Sequence, residues 1–327
     1  MAAAKIEAMK DEVAMSKASF ILPTRNVEKY IGPLLEAIFS QEYNGQIEVL
    51  IMDSSDDRTP EIARQSPIRF VRVEPEDYNY GRTRNEGAAM TDGDLLIFLS
   101  TDVEIRDKSW LAKLTSHFTD PEVAGVYGRQ IPKENSPPME QFFIHRMYPA
   151  ESEFIFLKNG KMKRRKTFVL FSNVNAAIRR SVWEQIKLPE MLTGDEMEWA
   201  KRALLNEHKI VYDSNAVVYH SHKRSLREAF EWYFDCGAVM PVTHADPAIN
   251  YGMRNFIIDG LKFVSEEYKF MLENGYWYWI PYAIVYDIAK FLGFFLGSKQ
   301  KYMPLWMKRP LCRKKNHWDK YDDVIKV

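Results

Sequence analysis

The 327-residue sequence predicts an α/β fold over its first two thirds. Short apolar segments alternate there with amphipathic helical patterns, which is the order expected of a βαβαβ unit with parallel strands. One segment, 95–99, has five consecutive apolar residues (LLIFL), as expected for a strand buried on both faces. Polar residues follow the segments directly, and ligands of open α/β sheets bind beyond the carboxyl ends of the strands. A nucleotide is therefore expected at that edge.

The predicted unit has three strands and two helices: strand 19–26, helix 27–41, strand 47–52, a helix beginning near Pro60, and strand 68–73. Asn26 is expected to cap the first helix. The first strand contains Thr24 and Arg25 near its end, and the second strand ends at Asp53. These side chains are expected to share one edge of the sheet.

Two arginines follow the third strand in the segment 81–87 (GRTRNEG). Gly81 permits a tight turn before a helix of small residues. Arg82 and Arg84 suit a diphosphate, because the guanidinium fork matches phosphate oxygens. The alternative is a solvated basic turn.

Asp102 comes just after the apolar strand 95–99, with Glu104 two residues further on. A carboxylate here can hold Mg²⁺ or Mn²⁺, since such ions take oxygen ligands and share them with substrate phosphates. The alternative is an aspartate that only ends the strand and caps the following turn.

In order and approximate spacing these segments resemble the inverting nucleotide-sugar glycosyltransferases of the GT-A fold, on residues 20–26, 53–59, 81–87 and 101–102. The resemblance implies a Rossmann-like nucleotide-binding half followed by an acceptor half. It implies a donor site formed by Pro23, Thr24, Arg25, Asp53, Arg84, Asn85 and Thr101. It also implies Mg²⁺ or Mn²⁺ held by Asp102, because Thr101 stands where many members have the first acid. Glu104 is the alternative acid.

An acid pair, Asp195 and Glu196, begins a predicted helix after Gly194. Acids in a first turn stabilise a helix through its dipole, which is the alternative to a catalytic role. In the family that the chain resembles, the second acid of such a pair is the catalytic base. By register Glu196 is then the base that deprotonates the acceptor hydroxyl, and by chemical type Asp195 is its rival.

Two histidines, His220 and His222, end a later predicted strand and share a face if that strand continues. A lone histidine is usually structural, but two at a strand end suit a metal or a phosphate. The resemblance implies that a late histidine completes the metal shell. His222 is favoured for this role, with His220 as the alternative.

The middle segment, 131–166, is long for a connection, which favours a lid over the acceptor. Its basic run 161–166 (KMKRRK) is either a solvated face or a contact for anionic lipid or a diphosphate-linked acceptor. The strand that follows, 168–180, carries Asn173 and Asn175. These asparagines are either hydrogen-bonded within the core or directed at a sugar.

The last hundred residues change character and become rich in aromatic residues. Pro281, Asp287 and Lys290 interrupt the apolar stretch 276–297, and a membrane-spanning helix needs about 20 uninterrupted apolar residues. Together with the acid-free basic stretch 299–315, this predicts peripheral contact with an anionic cytoplasmic membrane face. The alternative is a helical subdomain that packs on the sheet or forms a dimer.

Composition limits the function classes. The chain has 45 basic and 45 acidic residues, so no overall charge favours nucleic acid as a partner. Two distant cysteines and the absence of a secretory signal fit a cytosolic setting. The predicted domains are a tail or helix over 1–18, a catalytic domain over 19–225, and a helical region over 226–327. The catalytic domain divides into a nucleotide-sugar half, 19–104, and an acceptor half, 105–225.

Four segments together, 81–88, 171–180, 198–203 and 218–222, resemble bacterial rhamnosyltransferases more narrowly. This resemblance implies a dTDP-L-rhamnose donor and an acceptor hydroxyl on a lipid-linked or growing cell-surface glycan. The alternatives are a UDP-sugar-dependent hexosyl- or N-acetylhexosaminyltransferase and a non-catalytic nucleotide-binding scaffold of a glycan assembly complex.

Overall fold

The computed structural model describes residues 17–158, 161–163, 170–243 and 253–313, together with residues 315 and 318. Its strands are β1 (Ala18–Thr24), β2 (Ile47–Asp53), β3 (Arg69–Arg72), β4 (Leu95–Leu99), β5 (Val123–Ile131), β6 (Glu153–Lys158), β7 (Lys161–Lys163), β8 (Asn175–Arg179) and β9 (Lys209–Tyr219). Its helices are α1 (Ile31–Phe39), α2 (Thr59–Ala63), α3 (Tyr80–Ala89), α4 (Trp110–Thr115), α5 (Pro138–Met147), α6 (Arg180–Gln185), α7 (Asp195–Leu205), α8 (Leu226–Thr243), α9 (Met253–Glu273), α10 (Ile280–Ser298) and α11 (Leu305–Lys308).

The nine described strands lie in one mixed sheet, in the order β3-β2-β1-β4-β8-β5-β9-β6-β7. β1 pairs in parallel with both β2 and β4, and β2 pairs in parallel with β3, as the predicted βαβαβ unit requires. β8 runs antiparallel between β4 and β5, and β9 is parallel to β5. The carboxyl ends of β1, β2 and β4 therefore meet at one edge of the sheet, where Thr24 is paired with Asp53.

Strand β4 lies in the interior of the sheet, and each of its five side chains is at most 2 % exposed. Trp110 of α4 is fully buried and packs on Phe20 of β1, with 6.2 Å between ring centroids. Each apolar side chain of this size contributes about 1.5–3 kcal/mol when it is removed from water. Helix α1 adds the residues of one helical face: Ile31, Leu34, Leu35 and Ile38. This core supports the sheet edge from which the polar loops extend.

Two local predictions are wrong. Asn26 does not cap a helix, because α1 begins four residues after Val27 and Asn26 has a φ of 54°. Its side-chain oxygen instead accepts a hydrogen bond from the backbone N–H of Asp56 at 3.0 Å, which joins the loops after β1 and β2. Gly81 lies inside the first turn of α3, not in a tight turn. A side chain there would clash with the backbone carbonyl of Pro189, so glycine is required by close packing.

The segment 131–166 contains α5, β6 and β7 rather than irregular chain. The first three residues of the basic run form β7, and residues 164–166 lie outside the described residues. A lid function for this segment stays a prediction.

The chain divides into two compact units. The first comprises the described residues up to 131, with 148–190 and 196–220, and holds the whole sheet. The second comprises 132–147, 191–195 and the described residues from 221 onwards, and holds α5 and α8 to α11. Helix α8 begins at Leu226, where the helical region was predicted to begin. The domain assignment itself stays a prediction.

Helices α8 and α10 pack together in the second unit through glycine. A side chain at Gly237 would clash with the backbone of Phe294, and side chains at Gly293 and Gly297 would clash with the backbones of Phe230 and Phe234. The spacing Gly293-x-x-x-Gly297 lets two helix backbones approach closely. The two helices therefore form a tight pair whose geometry depends on these glycines.

Candidate active site

Asp53, at the end of β2, is fully buried, and its carboxylate is satisfied within the first unit. Its Oδ1 accepts from Oγ1 of Thr24 at 2.7 Å and from Oγ of Ser55 at 2.6 Å. Its Oδ2 accepts from Nη1 of Arg72 at 2.9 Å. A buried charge is tolerated only when it is paired in this way. Asp53 therefore ties the ends of β1, β2 and β3 together at the predicted nucleotide edge.

The loops at this edge are also held by Asp57. Its Oδ1 accepts from the backbone N–H of Thr59 at 2.9 Å, and its Oδ2 accepts from that of Glu28 at 3.2 Å. Burial raises the pKa of Asp57, but hydrogen bonds from Thr59 and from backbone amides outweigh burial and leave the pKa below its usual range. Of the neighbouring predicted residues, Pro23 is half-buried and Arg25 is exposed.

Arg84 is almost fully buried in α3. Its guanidinium lies 5.2 Å from the ring centre of Tyr80 and 5.9 Å from that of Phe98, which belongs to β4. Cations over aromatic rings are stabilised by the ring quadrupole. Arg82 is more exposed and lies 3.8 Å from the carboxylate of Glu190. Of the two arginines, Arg84 is therefore the one anchored against the central strand.

Asn85 is engaged within the protein. Its side-chain oxygen accepts from Nε1 of Trp183 at 2.9 Å and from the backbone N–H of Leu188 at 3.2 Å, and its Nδ2 donates to the carbonyl of Leu188 at 2.8 Å. These bonds join α3 to the chain around α6. They give Asn85 a structural role, and a contact with the donor stays a prediction.

Asp102 and His220 lie together in the first unit. Oδ1 of Asp102 is 3.5 Å from Nε2 of His220, and His220 is only 6 % exposed. Nδ1 of His220 lies 2.9 Å from Oε1 of Gln130, whose Nε2 donates to Oγ of Ser172 at 3.1 Å. Thr101, the residue before Asp102, is half-buried in the turn after β4. A chain of polar contacts therefore runs from Ser172, in the loop before β8, through Gln130 and His220 to Asp102.

The orientation given to the Gln130 amide assigns the proton of His220 to one ring nitrogen. With the Gln130 amide oriented in this way, Oε1 can only accept, so Nδ1 must donate. In the neutral imidazole the lone pair of Nε2 then faces the carboxylate of Asp102. Two lone-pair donors that face one another suit a cation between them, and an imidazole with a carboxylate suits Mn²⁺ or another divalent ion. The donor set therefore fits a metal site.

His222 follows in the second unit, two peptide links after His220, so their Cα atoms are at most about 7 Å apart. Its backbone N–H donates to Oε1 of Glu140 at 3.1 Å. Oε2 of Glu140 lies 3.6 Å from Nη1 of Arg224. These contacts position the segment that carries the favoured histidine, and its role as a metal ligand stays a prediction.

The second unit has a pocket of about 420 Å³ next to this segment. Its lining combines aromatic rings with an ion pair: Pro137, Met139, Glu140, His222, Arg224, Trp279, Tyr282 and Tyr286. Small-molecule pockets have this character, with mostly apolar walls and a few polar groups. Because Glu140 and Arg224 balance one another, the pocket favours a neutral ligand over a multiply charged one.

The acid pair occupies the first turn of α7. Asp195 is buried and Glu196 is half-buried. The next acid on the helix, Glu198, is buried and lies 2.6 Å from Nζ of Lys201 and 2.9 Å from Nε of Arg202. Glu198 is therefore a structural residue, and the acids open to a proton-transfer role are the first two.

The two asparagines near β8 differ sharply. Asn175 is hydrogen-bonded in the core: its oxygen accepts from Nε1 of Trp110 at 3.1 Å, and its Nδ2 donates to the carbonyl of Ala216 at 2.8 Å. Asn173 is equally buried, at 3 % exposure, but neither its Oδ1 nor its Nδ2 has a hydrogen-bond partner in the described part of the chain. The sequence could not distinguish these two environments.

Gln130 is a site residue that was not predicted from the sequence. Its only sequence signal is an uncharged polar side chain near the end of a mostly apolar strand, VAGVYGRQI. It is 3 % exposed, and a buried polar residue requires a partner. That signal identifies a buried polar contact but not the histidine that it contacts.

One helical stretch among the described residues, Trp277–Ser298, has the length and composition of a membrane-spanning helix, with a mean hydropathy of 1.4 over an 18-residue window. Two of the residues that interrupt this stretch, Asp287 and Lys290, are turned inward, where Nζ of Lys290 donates to Oδ1 of Asp287 at 3.0 Å. Burial, with Asp287 nearby, raises the pKa of Glu267 to about 9, so this buried carboxyl is neutral at pH 7. The face of α10 opposite Asp287 and Lys290 is continuous and apolar.

That exposed face is the apolar stripe, defined by Trp277, Tyr278, Tyr282, Ile284, Val285, Ile288, Phe291, Leu292 and Phe295. Most of these side chains are 44–66 % exposed. An apolar patch of this kind marks an interaction surface. The exposed basic residues that follow are Lys299, Lys301, Arg309, Arg313 and Lys315. Lys308 is not among them, because it is buried and donates to Oε1 of Gln300 at 2.8 Å. Lys314 lies outside the described residues.

Comparison with known proteins identifies a matching family and several similar proteins. The family model described as glycosyl transferase family 2 matches residues 19–187. The O-antigen chain rhamnosyltransferases RfbN of Salmonella typhimurium and WbaN of Salmonella anatum are each 33 % identical to the chain, over 93 % of this chain and 96 % of their own. In fold the chain is similar to the mannosyltransferase PcManGT of Pyrobaculum calidifontis, with a TM-score of 0.59, 16 % identity, and 98 % and 97 % coverage. The predicted α/β fold of the GT-A type is confirmed.

Proposed function

Since this chain belongs to glycosyl transferase family 2, and is therefore a glycosyltransferase, we propose that it transfers L-rhamnose from dTDP-L-rhamnose to a hydroxyl of a lipid-linked or growing cell-surface glycan. The observation that carries the proposal is the similarity, along nearly the whole chain, to two proteins named O-antigen chain rhamnosyltransferases. The polar sheet edge supports it, because nucleotides bind at such edges.

The nucleotide is assigned to the edge formed by Pro23, Thr24, Arg25 and Asp53, with Arg84 near the diphosphate. The network around Asp53 supports this assignment, because it holds the loops after β1 and β2 in one arrangement before the ligand arrives. Thr101 completes the edge at the end of β4. Asn85 contributes by holding α3 in place through Trp183 and Leu188.

Asp102 and His222 are proposed to hold Mg²⁺ or Mn²⁺, with His220 as the alternative histidine. The facing donor atoms of Asp102 and His220 support this role, and PcManGT was solved with GDP-Man and Mn²⁺. A bound divalent cation would neutralise the charge that develops on the diphosphate leaving group.

Glu196 is proposed as the base, with Asp195 as its rival. The base takes the proton of the acceptor hydroxyl while that oxygen bonds to the anomeric carbon of the donor. The bond from the anomeric carbon to the diphosphate oxygen breaks on the opposite face, so the configuration inverts. The exposure of Glu196 supports its reaching a substrate, since Asp195 is buried.

A thermal-shift panel tests the donor. The purified chain with Mn²⁺ is heated with dTDP-L-rhamnose, UDP-glucose, UDP-N-acetylglucosamine or GDP-mannose, each beside its nucleoside diphosphate alone. A ligand at 100 times its Kd stabilises the folded state by about 2.7 kcal/mol. Among the four sugar nucleotides, dTDP-L-rhamnose is expected to raise the Tm most above the value measured with its nucleoside diphosphate alone. A larger gain with a UDP-sugar would replace the proposal by a UDP-dependent hexosyl- or N-acetylhexosaminyltransferase.

The acceptor is proposed to be presented at a membrane, with the protein peripheral on the cytoplasmic face. The apolar stripe and the exposed basic residues after it supply the two signals that stable peripheral binding needs. The aromatic pocket with its balanced ion pair supports a saccharide acceptor, because a sugar presents apolar C–H faces as well as hydroxyls.

Vesicle sedimentation tests the membrane proposal. The wild type is expected to sediment with phosphatidylglycerol vesicles more than with phosphatidylcholine vesicles, and less at high salt because charge attraction is screened. Phe291→Glu combined with Phe295→Glu is expected to weaken sedimentation by about tenfold or more, since each phenylalanine contributes on the order of 1 kcal/mol when buried from half exposure. Met90→Glu, at an exposed apolar position of the first unit, is the control. Unchanged sedimentation of the double variant would contradict the proposal.

A further inference from the structure

Asn173 is a buried polar side chain without a structural purpose in the described part of the chain. Asn173 is 3 % exposed, and neither its Oδ1 nor its Nδ2 has a hydrogen-bond partner among the described residues. Leaving such a group buried and unpaired is costly, and native proteins keep few of them. A group of this kind that persists in a native protein calls for an explanation, such as strain, a functional role, or a water or ion that supplies the missing partner.

The pairing of β8 with β4 brings Asn173 close to the sheet edge where the nucleotide is proposed to bind. β8 runs antiparallel to β4, with Asn175 paired to Leu99, and the N–H of Ser100 donates to the carbonyl of Val174 at 3.2 Å. Asn173 directly precedes Val174 and Thr101 directly follows Ser100, so both residues flank this hydrogen bond. Asn173 therefore adjoins the turn that carries Asp102.

A second contact ties the same loop to the same place. Ser172, the residue before Asn173, accepts a hydrogen bond from Gln130, and Gln130 contacts His220, which faces Asp102. The loop before β8 is thus held from two sides, through β4 and through the Gln130–His220 chain. The backbone at Asn173 is positioned independently of any contact made by its own side chain.

We propose that Asn173 recognises the donor sugar by hydrogen-bonding to its ring hydroxyls. A carboxamide offers both a donor and an acceptor, and two neighbouring hydroxyls offer the complementary pair. In a sugar nucleotide the anomeric carbon is bonded directly to the diphosphate, so a side chain beside the residues assigned to the diphosphate and its cation is near the sugar. The assignment rests on the proposed function and extends it to a specificity residue.

Asn175 supplies a matched control, because it is the same residue type two positions away with its hydrogen bonds made. Asn173→Leu removes an unpaired group, so its Tm is expected to be unchanged or raised. Asn175→Leu leaves Nε1 of Trp110 and the carbonyl of Ala216 without their hydrogen bonds to Asn175, so its Tm is expected to fall by at least about 3 °C. A structural role for Asn173 predicts the opposite, a fall in Tm like that of Asn175→Leu.

Binding is then measured by calorimetry with dTDP and with dTDP-L-rhamnose, each with Mn²⁺. Asn173→Leu and Asn173→Ala are expected to bind dTDP within about twofold of the wild type and dTDP-L-rhamnose about tenfold more weakly, as for loss of paired hydrogen bonds. Equal weakening of both ligands would overturn the sugar assignment, as would an effect confined to the acceptor KM. If the wild type gains nothing from the rhamnosyl group, the donor proposal fails. The affinities are then compared for the sugar nucleotide that does stabilise the wild type and for its nucleoside diphosphate. If Asn173→Leu keeps the wild-type gain in affinity from the sugar, the inference is overturned.

Discussion

Replacing Glu196 by glutamine is expected to reduce the transfer rate by at least about 100-fold, the low end of the contribution of a general base. The amide keeps the shape of the side chain but cannot accept the proton of the acceptor hydroxyl. Asp195→Asn is made separately and decides between the two acids, because only the loss of the true base removes the proton acceptor. The rate is measured as sugar transferred at saturating donor and acceptor, and donor affinity is measured in parallel by thermal shift.

The same helix offers a control in Glu198, which is buried and paired with Lys201 and Arg202. Glu198→Gln is expected to lower the Tm and to leave the rate per folded molecule within a few-fold of the wild type. Glu196→Gln is expected to behave in the opposite way, with an unchanged Tm and donor affinity. If neither Asp195→Asn nor Glu196→Gln slows transfer by about 100-fold, the base lies elsewhere.

Asp102→Asn is expected to lower the affinity for Mn²⁺ by more than about 100-fold, and transfer is expected to fall with it. Residues that only support a ligand cost about 10–100-fold in metal affinity, and a direct ligand costs at least as much. Removal of the ion with EDTA is expected to abolish transfer in the wild type, and added Mn²⁺ to restore it. Free Mn²⁺ is counted by electron paramagnetic resonance during titration, so the affinity is obtained without an activity assay.

His220→Ala and His222→Ala, measured in the same way, decide between the two histidines. We expect His222→Ala to match Asp102→Asn, and a larger effect of His220→Ala would establish the alternative. Glu104→Gln is the control acid, because its carboxylate lies 3.0 Å from Nη2 of Arg106 and is about half exposed. It is expected to bind Mn²⁺ as the wild type does. Wild-type affinity in Asp102→Asn would remove the proposed metal site.

The order of the elements was predictable from the sequence because it depends on local periodicity. Five apolar residues in 95–99 became β4, buried as predicted, and the segments before it became β1 to β3 with parallel pairing. The predicted polar ends of these strands follow from chain direction alone. The N-cap at Asn26 and the turn at Gly81 were wrong, because each depends on a distant neighbour: Asp56 in one case and Pro189 in the other.

The environments of polar side chains were not predictable, since their partners lie far away in sequence. Gln130 contacts a histidine 90 residues later, and nothing in the pattern of β5 identifies that histidine. The inward turn of Asp287 and Lys290 likewise depends on how α10 packs in the second unit. These charges interrupt the apolar stretch in the sequence, but the outer face of the folded helix is continuous and apolar.

The sequence by itself determined the α/β alternation, the residues that follow each strand, and the resemblance to sugar-nucleotide-dependent transferases. Only the tertiary structure decided that Asn175 belongs to the core while Asn173 is left with unmet hydrogen bonds, and that Nε2 of His220 faces Asp102. The physical reason is that backbone periodicity is a property of neighbouring residues. Whether a buried polar atom is satisfied depends on which distant atoms the fold brings within hydrogen-bonding distance.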